Sequence, residues 1–333
     1  MVDRCPACAG GDLRDFYRVS GLPVHSTRLM ASRDEALAFP RRPLQLALCC
    51  GCGFIFNRAF DPSVQCYSPR CEESQGRSPT FSDWLADLVE RLVTRHGVRG
   101  QRVLEIGCGK GEFLAALCRN GDNVGIGYDP TFVPGRTGGG EGDCWQVEPA
   151  LWEGGSGIHG ADFIACRHTF EHIGPVRVFL EELREAIGTA SPLIFFEVPD
   201  TTRILGEGAF WDVYYEHCSY FTRGSLDGLF RRAGFAPVEL WLDYHDQYLL
   251  MLARPAAATG AVVEAGAGRE VEASVAGFLE QVEKRRAHWS AFLERCRAVK
   301  ERVVLWGGGS KASAFLCVID GAGSVAGVVD IDP

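Results

Sequence analysis

Residues 102–117, "RVLEIGCGKGEFLAAL", constrain this chain more than any other stretch. A short apolar run leads to an acid, three glycines follow at alternate positions, and an apolar-periodic segment resumes at once. That pattern is a buried strand, a turn open to left-handed backbone, and a helix. Strand patterns recur downstream in "NVGIGYD", "ADFIACRH" and "PLIFFEVPD", interleaved with the helix "VRVFLEELREAI". Alternation of this kind predicts the α/β class, a doubly wound and mostly parallel sheet. After the helix "SLDGLFRRAG", the strands "PVELWLDY" and "QYLLMLARP" read as an antiparallel edge pair. Upstream, "SDWLADLVERLVTRHG" places Trp84, Leu88 and Leu92 on one helix face, with Ser82 as N-cap and Gly97 as stop.

The glycine turn decides the cofactor class. A dinucleotide fingerprint needs G-x-G-x-x-G, whereas Gly107, Gly109 and Gly111 bring the third glycine one residue early, and Glu105 stands at the strand end. A carboxylate there would repel a pyrophosphate and suits a cationic amine. Asp129 ends the next strand, where an acid can accept both ribose hydroxyls. The arrangement resembles the E/D-x-G-x-G-x-G loop of class I S-adenosylmethionine (SAM) methyltransferases, which implies SAM held by Glu105, Gly107, Gly109, Gly111 and Asp129. "CRHTFEHIGP" follows the next buried strand at the carboxyl edge of the sheet, where open α/β folds bind ligands. Arg167, His168, Glu171 and His172 are candidates by that position, although either histidine could equally be a structural group.

Fourteen cysteines in a chain whose start, "MVDRCPACAGG", lacks an apolar signal region point to thiols and metal ligands rather than disulfides. The expected location is the cytoplasm. Cys5 with Cys8, and Cys49 with Cys52, form two C-x2-C knuckles that together complete a tetrahedral S4 site for structural zinc. Cys50 is a spare thiol in the second knuckle, Gly53 suits the knuckle turn, and His25 between the knuckles is expected at the surface. Short strands and turns should fill this metal-held segment. A net charge of −9 provides no broad basic footprint, so nucleic acid is not an expected partner. Apolar runs fall short of the roughly 18 residues a membrane span needs. Nothing in the sequence specifies an oligomeric state.

Taken together, the double knuckle, "LEIGCGKGEFL", "CRHTFEHI", "FFEVPD" and "YYEHCSYFT" resemble the zinc-containing sugar C-methyltransferases that act on dTDP-4-keto hexoses. The likeness runs from residue 5 to about 255 and continues more loosely beyond. It implies a zinc domain at 1–78, a SAM domain at 79–255, a C-terminal Rossmann-like lobe within 256–333, and a nucleotide-linked keto-deoxysugar as substrate held between them. It also implies His217 as general base, with Glu216 and Tyr214 as binding and orienting partners, His172 as a further catalytic candidate and His168 as a cofactor contact. Tyr67 and Tyr215 are the implied substrate contacts, and Tyr67, Gln75, Ser78 and Phe81 form a lid over the cofactor. The chain departs from the family at Cys71, where a second tyrosine is usual, and this leaves the particular sugar open.

The chemistry supports the assignment independently. Methylating a sugar carbon requires removal of a hydrogen α to a ketone, a task suited to imidazole near neutral pH. Tyrosine hydroxyls can stabilise the enolate oxygen, and an aromatic surround excludes water. That explains an ionisable Glu-His pair inside the greasy "DVYYEHCSYF".

Residues 256–268 read as a linker and 269–301 as one long helix, with Val275, Phe278, Val282, Trp289, Phe292 and Leu293 on its apolar side. Then "RVVLWGGGSKASAFLCVID" is another strand, glycine loop and helix. Gly307 to Ala312 fit G-x-G-x-x-A, and Asp330 follows about twenty residues on, as a dinucleotide site would have it. An NAD-dependent oxidoreductase is therefore the alternative, and a degenerate zinc and SAM-fold scaffold a third. Against the former, one βαβ unit before Pro333 is too little sheet for a two-halved dinucleotide crevice.

Overall fold

A computed structural model of the chain describes residues 2–138, 143–257 and 267–330. The N-terminal region runs β1 (Leu13–Pro23), α1 (Arg33–Ala38), β2 (Arg41–Cys49) and β3 (Ile55–Asn57). The central elements are α2 (Pro79–Thr94), β4 (Arg102–Ile106), α3 (Glu112–Gly121), β5 (Val124–Tyr128), β6 (Trp145–Glu148), β7 (Phe163–Arg167), α4 (Val176–Ile187) and β8 (Leu193–Pro199). There follow α5 (Thr201–Glu207), β9 (Ser219–Tyr220), α6 (Arg223–Arg232), β10 (Phe235–Asp243) and β11 (Tyr248–Pro255). Last come α7 (Ala267–Ala298), β12 (Val304–Trp306), α8 (Ser310–Val318) and β13 (Gly327–Val329).

Two compact units emerge, and they do not follow the segment boundaries at 78 and 255 expected from sequence. One comprises Met1–Gln65, Asp200–Ser225 and Val263–Pro333; the other comprises Cys66–Pro199 and Leu226–Val262. The reason lies in long-range pairing within the first unit. β9 completes its antiparallel sheet, ordered β1-β2-β3-β9, by pairing Tyr220 with Ile55 and Ser219 with Phe56. α7 then covers the same core, burying Val275, Phe278, Val282 and Leu293, with Trp289 and Phe292 packed alongside as expected from periodicity. α5 lies against α7 so closely that a Cβ at Gly208 would come within 2.5 Å of Gln281. β1 is longer than the short strands expected there, and register shifts interrupt its pairing with β2. His25 is buried rather than at the surface, because Val24 and Ser26 on either side are bonded to Gln65 and Glu216. Most of the linker expected at 256–268 lies outside the described residues.

The second unit is the expected doubly wound sheet, ordered β10-β11-β8-β7-β4-β5-β6. Its five strands from β4 to β8 are parallel, and β11 and β10 add the antiparallel edge pair. β8, "LIFFEVP", is buried along nearly its whole length, as a central strand covered on both faces must be. β6 was not anticipated, since only four residues form it within a glycine-rich stretch, but its Trp145 is buried. α2 starts at Pro79 rather than after Ser82: Ser78 Oγ accepts the Phe81 N–H (3.4 Å), and proline suits the first helical position. Ser78 is thus the N-cap of this helix. Strand order reverses between β4 and β7, and such a switch point is where open α/β sheets bind ligands.

Candidate active site

A cavity of about 490 Å³ opens at the carboxyl ends of β4, β5 and β7 in the second unit. Its floor is the turn between β4 and α3. Gly107, Gly109 and Gly111 all take positive φ, but for different reasons. A Cβ at Gly107 would meet Thr169 Oγ1 at 2.0 Å, and one at Gly111 would meet the Trp145 ring at 2.6 Å. Only Gly109 faces open space, so it alone leaves room for a ligand to approach the backbone.

Glu105 is the penultimate residue of β4, 2% exposed, with Oε2 lacking a hydrogen-bond partner among the described residues. Burial pushes its carboxyl up to about 8, against the opposing pull of Arg167. A buried carboxyl with one unpartnered oxygen at a cavity wall is the environment a ligand ammonium would complete. Asp129 is bonded at both oxygens: Oδ2 accepts the Gly109 N–H (2.8 Å), and Oδ1 accepts the N–H and hydroxyl of Thr131 (both 2.7 Å). Oδ2, with a single donor, retains capacity for a further one such as a ribose hydroxyl, whereas Oδ1 is filled by Thr131.

The opposite wall is built from charge. Arg167 donates to both oxygens of Glu197 (2.8 and 3.1 Å) while its guanidinium lies over the Phe113 ring at 4.5 Å. His168 has a left-handed backbone at φ 47°, and its Nε2 sits 2.6 Å from Glu197 Oε1. Burial alone would strip the imidazolium proton, but Glu197 and Glu171 outweigh it and hold His168 up to about 9. Glu197 correspondingly falls to about 2, since Arg167 and His168 overcome its burial. His172 goes the other way, lowered chiefly by burial, with Nδ1 3.2 Å from the Tyr67 hydroxyl. Tyr67, Gln75, Phe81, His168 and His172 all line the cavity. Glu197 was not singled out from sequence, although a charge within an apolar strand run was a signal that it is paired.

In the first unit, the motif around His217 is buried as a group. His217 is 7% exposed, with the Tyr214 ring 4.1 Å and the Tyr220 ring 6.5 Å from it. Glu216 Oε1 accepts the Ser26 N–H (2.9 Å) and the Ser26 hydroxyl, while Oε2 has no partner among the described residues. Burial raises the Glu216 carboxyl, and the Ser26 bonds oppose that. Tyr215, expected as a substrate contact, is instead a core residue. It is fully buried, its hydroxyl accepts the Asp61 N–H (2.9 Å), and its ring packs on Phe60. The cause is tertiary: Phe60 and Asp61, far away along the chain, come to lie against Tyr215.

The four cysteines at the knuckles converge, with all Sγ atoms within 4.8 Å of one another. Cys5 to Cys52 and Cys8 to Cys49 are each 3.6 Å, close to the about 3.8 Å edge of a tetrahedron with 2.3 Å zinc–sulfur bonds. Cys50 is outside the cluster, its backbone packed against Gly268. At the C-terminal glycine loop, β12 and β13 form a two-stranded parallel sheet, and the Gly308 N–H donates to Asp330. Among the described residues, no helix is long and apolar enough to cross a membrane.

Comparison with known proteins matches residues 80–240 to a family described as a methyltransferase domain. The C-methyltransferase NovU of Streptomyces niveus is 28% identical over 335 residues, spanning 95% of this chain and 78% of the relative. Among solved structures, Burkholderia thailandensis 1,6-didemethyltoxoflavin-N1-methyltransferase is 19% identical (TM-score 0.41, covering 54% of this chain and 82% of that one). Magnesium protoporphyrin IX methyltransferase from Synechocystis PCC 6803 is 11% identical (TM-score 0.41, 53% and 84%). With the domain match lying on the seven-stranded sheet, its glycine turn and its acid-lined cavity, the chain is a SAM-dependent methyltransferase of the class I fold.

Proposed function

We propose that this enzyme methylates a carbon α to the keto group of a dTDP-linked deoxysugar. The observation that carries the reading is the buried Glu216–His217 pair beside Tyr214, a base and a carboxylate kept from water in one short segment. Similarity to a C-methyltransferase over nearly the whole chain supports carbon as the acceptor atom.

In this scheme His217 takes the α hydrogen as a proton, leaving its electron pair on the substrate as an enolate. A neutral imidazole is suited to that step near pH 7. Tyr214 donates a hydrogen bond to the enolate oxygen, and the unpartnered oxygen of Glu216 accepts from a sugar hydroxyl. When bound, SAM supplies an electrophilic methyl group to that carbon. Glu105 would hold its methionyl amine and Asp129 its ribose, with the open side of Gly109 leaving room between them. Zinc held by Cys5, Cys8, Cys49 and Cys52 would be structural, since four thiolates leave no open position.

The test is a screen of dTDP-4-keto sugars with methyl-labelled SAM, followed by the His217→Asn variant. Turnover and solvent exchange of the α hydrogen should both vanish, while affinity for S-adenosylhomocysteine (SAH) stays near wild type. Joint loss of turnover and SAH binding would make His217 a structural residue and refute its role as base.

A further inference from the structure

A lysine ammonium is buried in the floor of the cofactor cavity. Lys110 lies within the glycine turn, 4% exposed. Its Nζ donates to the carbonyl of Cys71 (2.8 Å) and to the carbonyl of Thr131 (2.6 Å). Those two carbonyls belong to two further walls of the same cavity. Cys71 sits in the strap 66–78, which contributes Tyr67, Glu73 and Gln75 to the lining. Thr131 follows β5 and orients the carboxylate of Asp129 through its N–H and hydroxyl.

Burying an ammonium is costly unless it is bonded, and a methionine or leucine would fill the volume at lower expense. Satisfying the charge with main-chain carbonyls fixes backbone rather than side chains, so both loops are held at set distances from the turn. The strap has additional ties to neighbouring loops: Ser74 Oγ donates to Glu112 Oε1 (2.6 Å), and Arg136 pairs with Glu72 (2.5 and 3.0 Å). Lys110 alone of these reaches two walls at once. We propose that Lys110 is a positioning residue that clamps the strap and the Asp129 loop onto the glycine turn, and so sets cofactor affinity. This concerns the cofactor cavity and holds whatever the methyl acceptor proves to be.

The experiment is calorimetric titration of full-length Lys110→Met with SAH, together with limited trypsin digestion mapped by mass spectrometry. Arg70 and Arg77 lie in the strap and report its closure. Loss of two hydrogen bonds from a charged donor should weaken SAH binding by about tenfold, and saturating SAH should no longer suppress cleavage after Arg70 and Arg77. A role confined to stability would lower the melting temperature but leave both readouts of the folded protein at wild-type values, and that result would overturn the proposal. Lys110→Gln, which keeps an N–H donor group on a shorter side chain without the charge, decides the matter if the methionine variant fails to fold. Intermediate affinity and protection support the clamp; wild-type values refute it.

Discussion

Replacing Glu105 with glutamine should abolish a proton release that accompanies cofactor binding in the wild-type enzyme. The carboxyl is held up to about 8 by burial, with one oxygen unpartnered. A group titrating there is about nine-tenths protonated at pH 7. A ligand ammonium seated beside it favours the ionised form. SAH binding at pH 7 should therefore release close to one proton, falling to about one-tenth at pH 9. Affinity should rise about tenfold from pH 6 to pH 7 and level off above pH 8. Titration calorimetry at pH 7 in phosphate and in Tris measures the release directly, because the observed heats differ by the protons released times the difference in buffer ionisation enthalpy. The same shift has a consequence for stability. The folded group titrates above an unfolded glutamate, near 4.3, so its contribution to the apo fold is fully present below about pH 4 and is lost as pH rises through 8. Glu105→Gln should flatten both dependences and weaken SAH binding. A wild-type enzyme that releases no proton at pH 7, with a variant that binds SAH equally well, would refute the placement of the amine at Glu105.

Removing metal by prolonged dialysis against a strong chelator, or by Cys8→Ser, should unfold the knuckle region and lower the melting temperature, with zinc restoring it; metal analysis showing no zinc in freshly purified protein would contradict the S4 site. Arg167→Leu should cost about 3–5 kcal/mol, because it leaves Glu197 buried beside a single cation, and denaturant unfolding would show it. A loss below about 1 kcal/mol would mean that water reaches Glu197.

Much of this protein was legible in its sequence because the relevant signals are local. The apolar run before Glu105, the glycines after it and the spacing to Asp129 all act within one strand-turn-helix-strand unit, where backbone sterics and periodicity determine the outcome. The knuckle cysteines were likewise readable, since a tight turn fixes each pair. What tertiary structure decided depends on contacts between residues far apart along the chain, for which no local pattern exists. β6 forms only because β5 offers it an edge, and Tyr215 is core because Phe60 and Asp61 come to lie against it. The pairing of Ser26 with Glu216 and of Lys110 with Cys71 and Thr131 follows the same rule. Sequence alone determined which groups could carry the chemistry; folding decided which of them are buried, bonded and charged, because those properties come from neighbours that the linear chain does not place side by side.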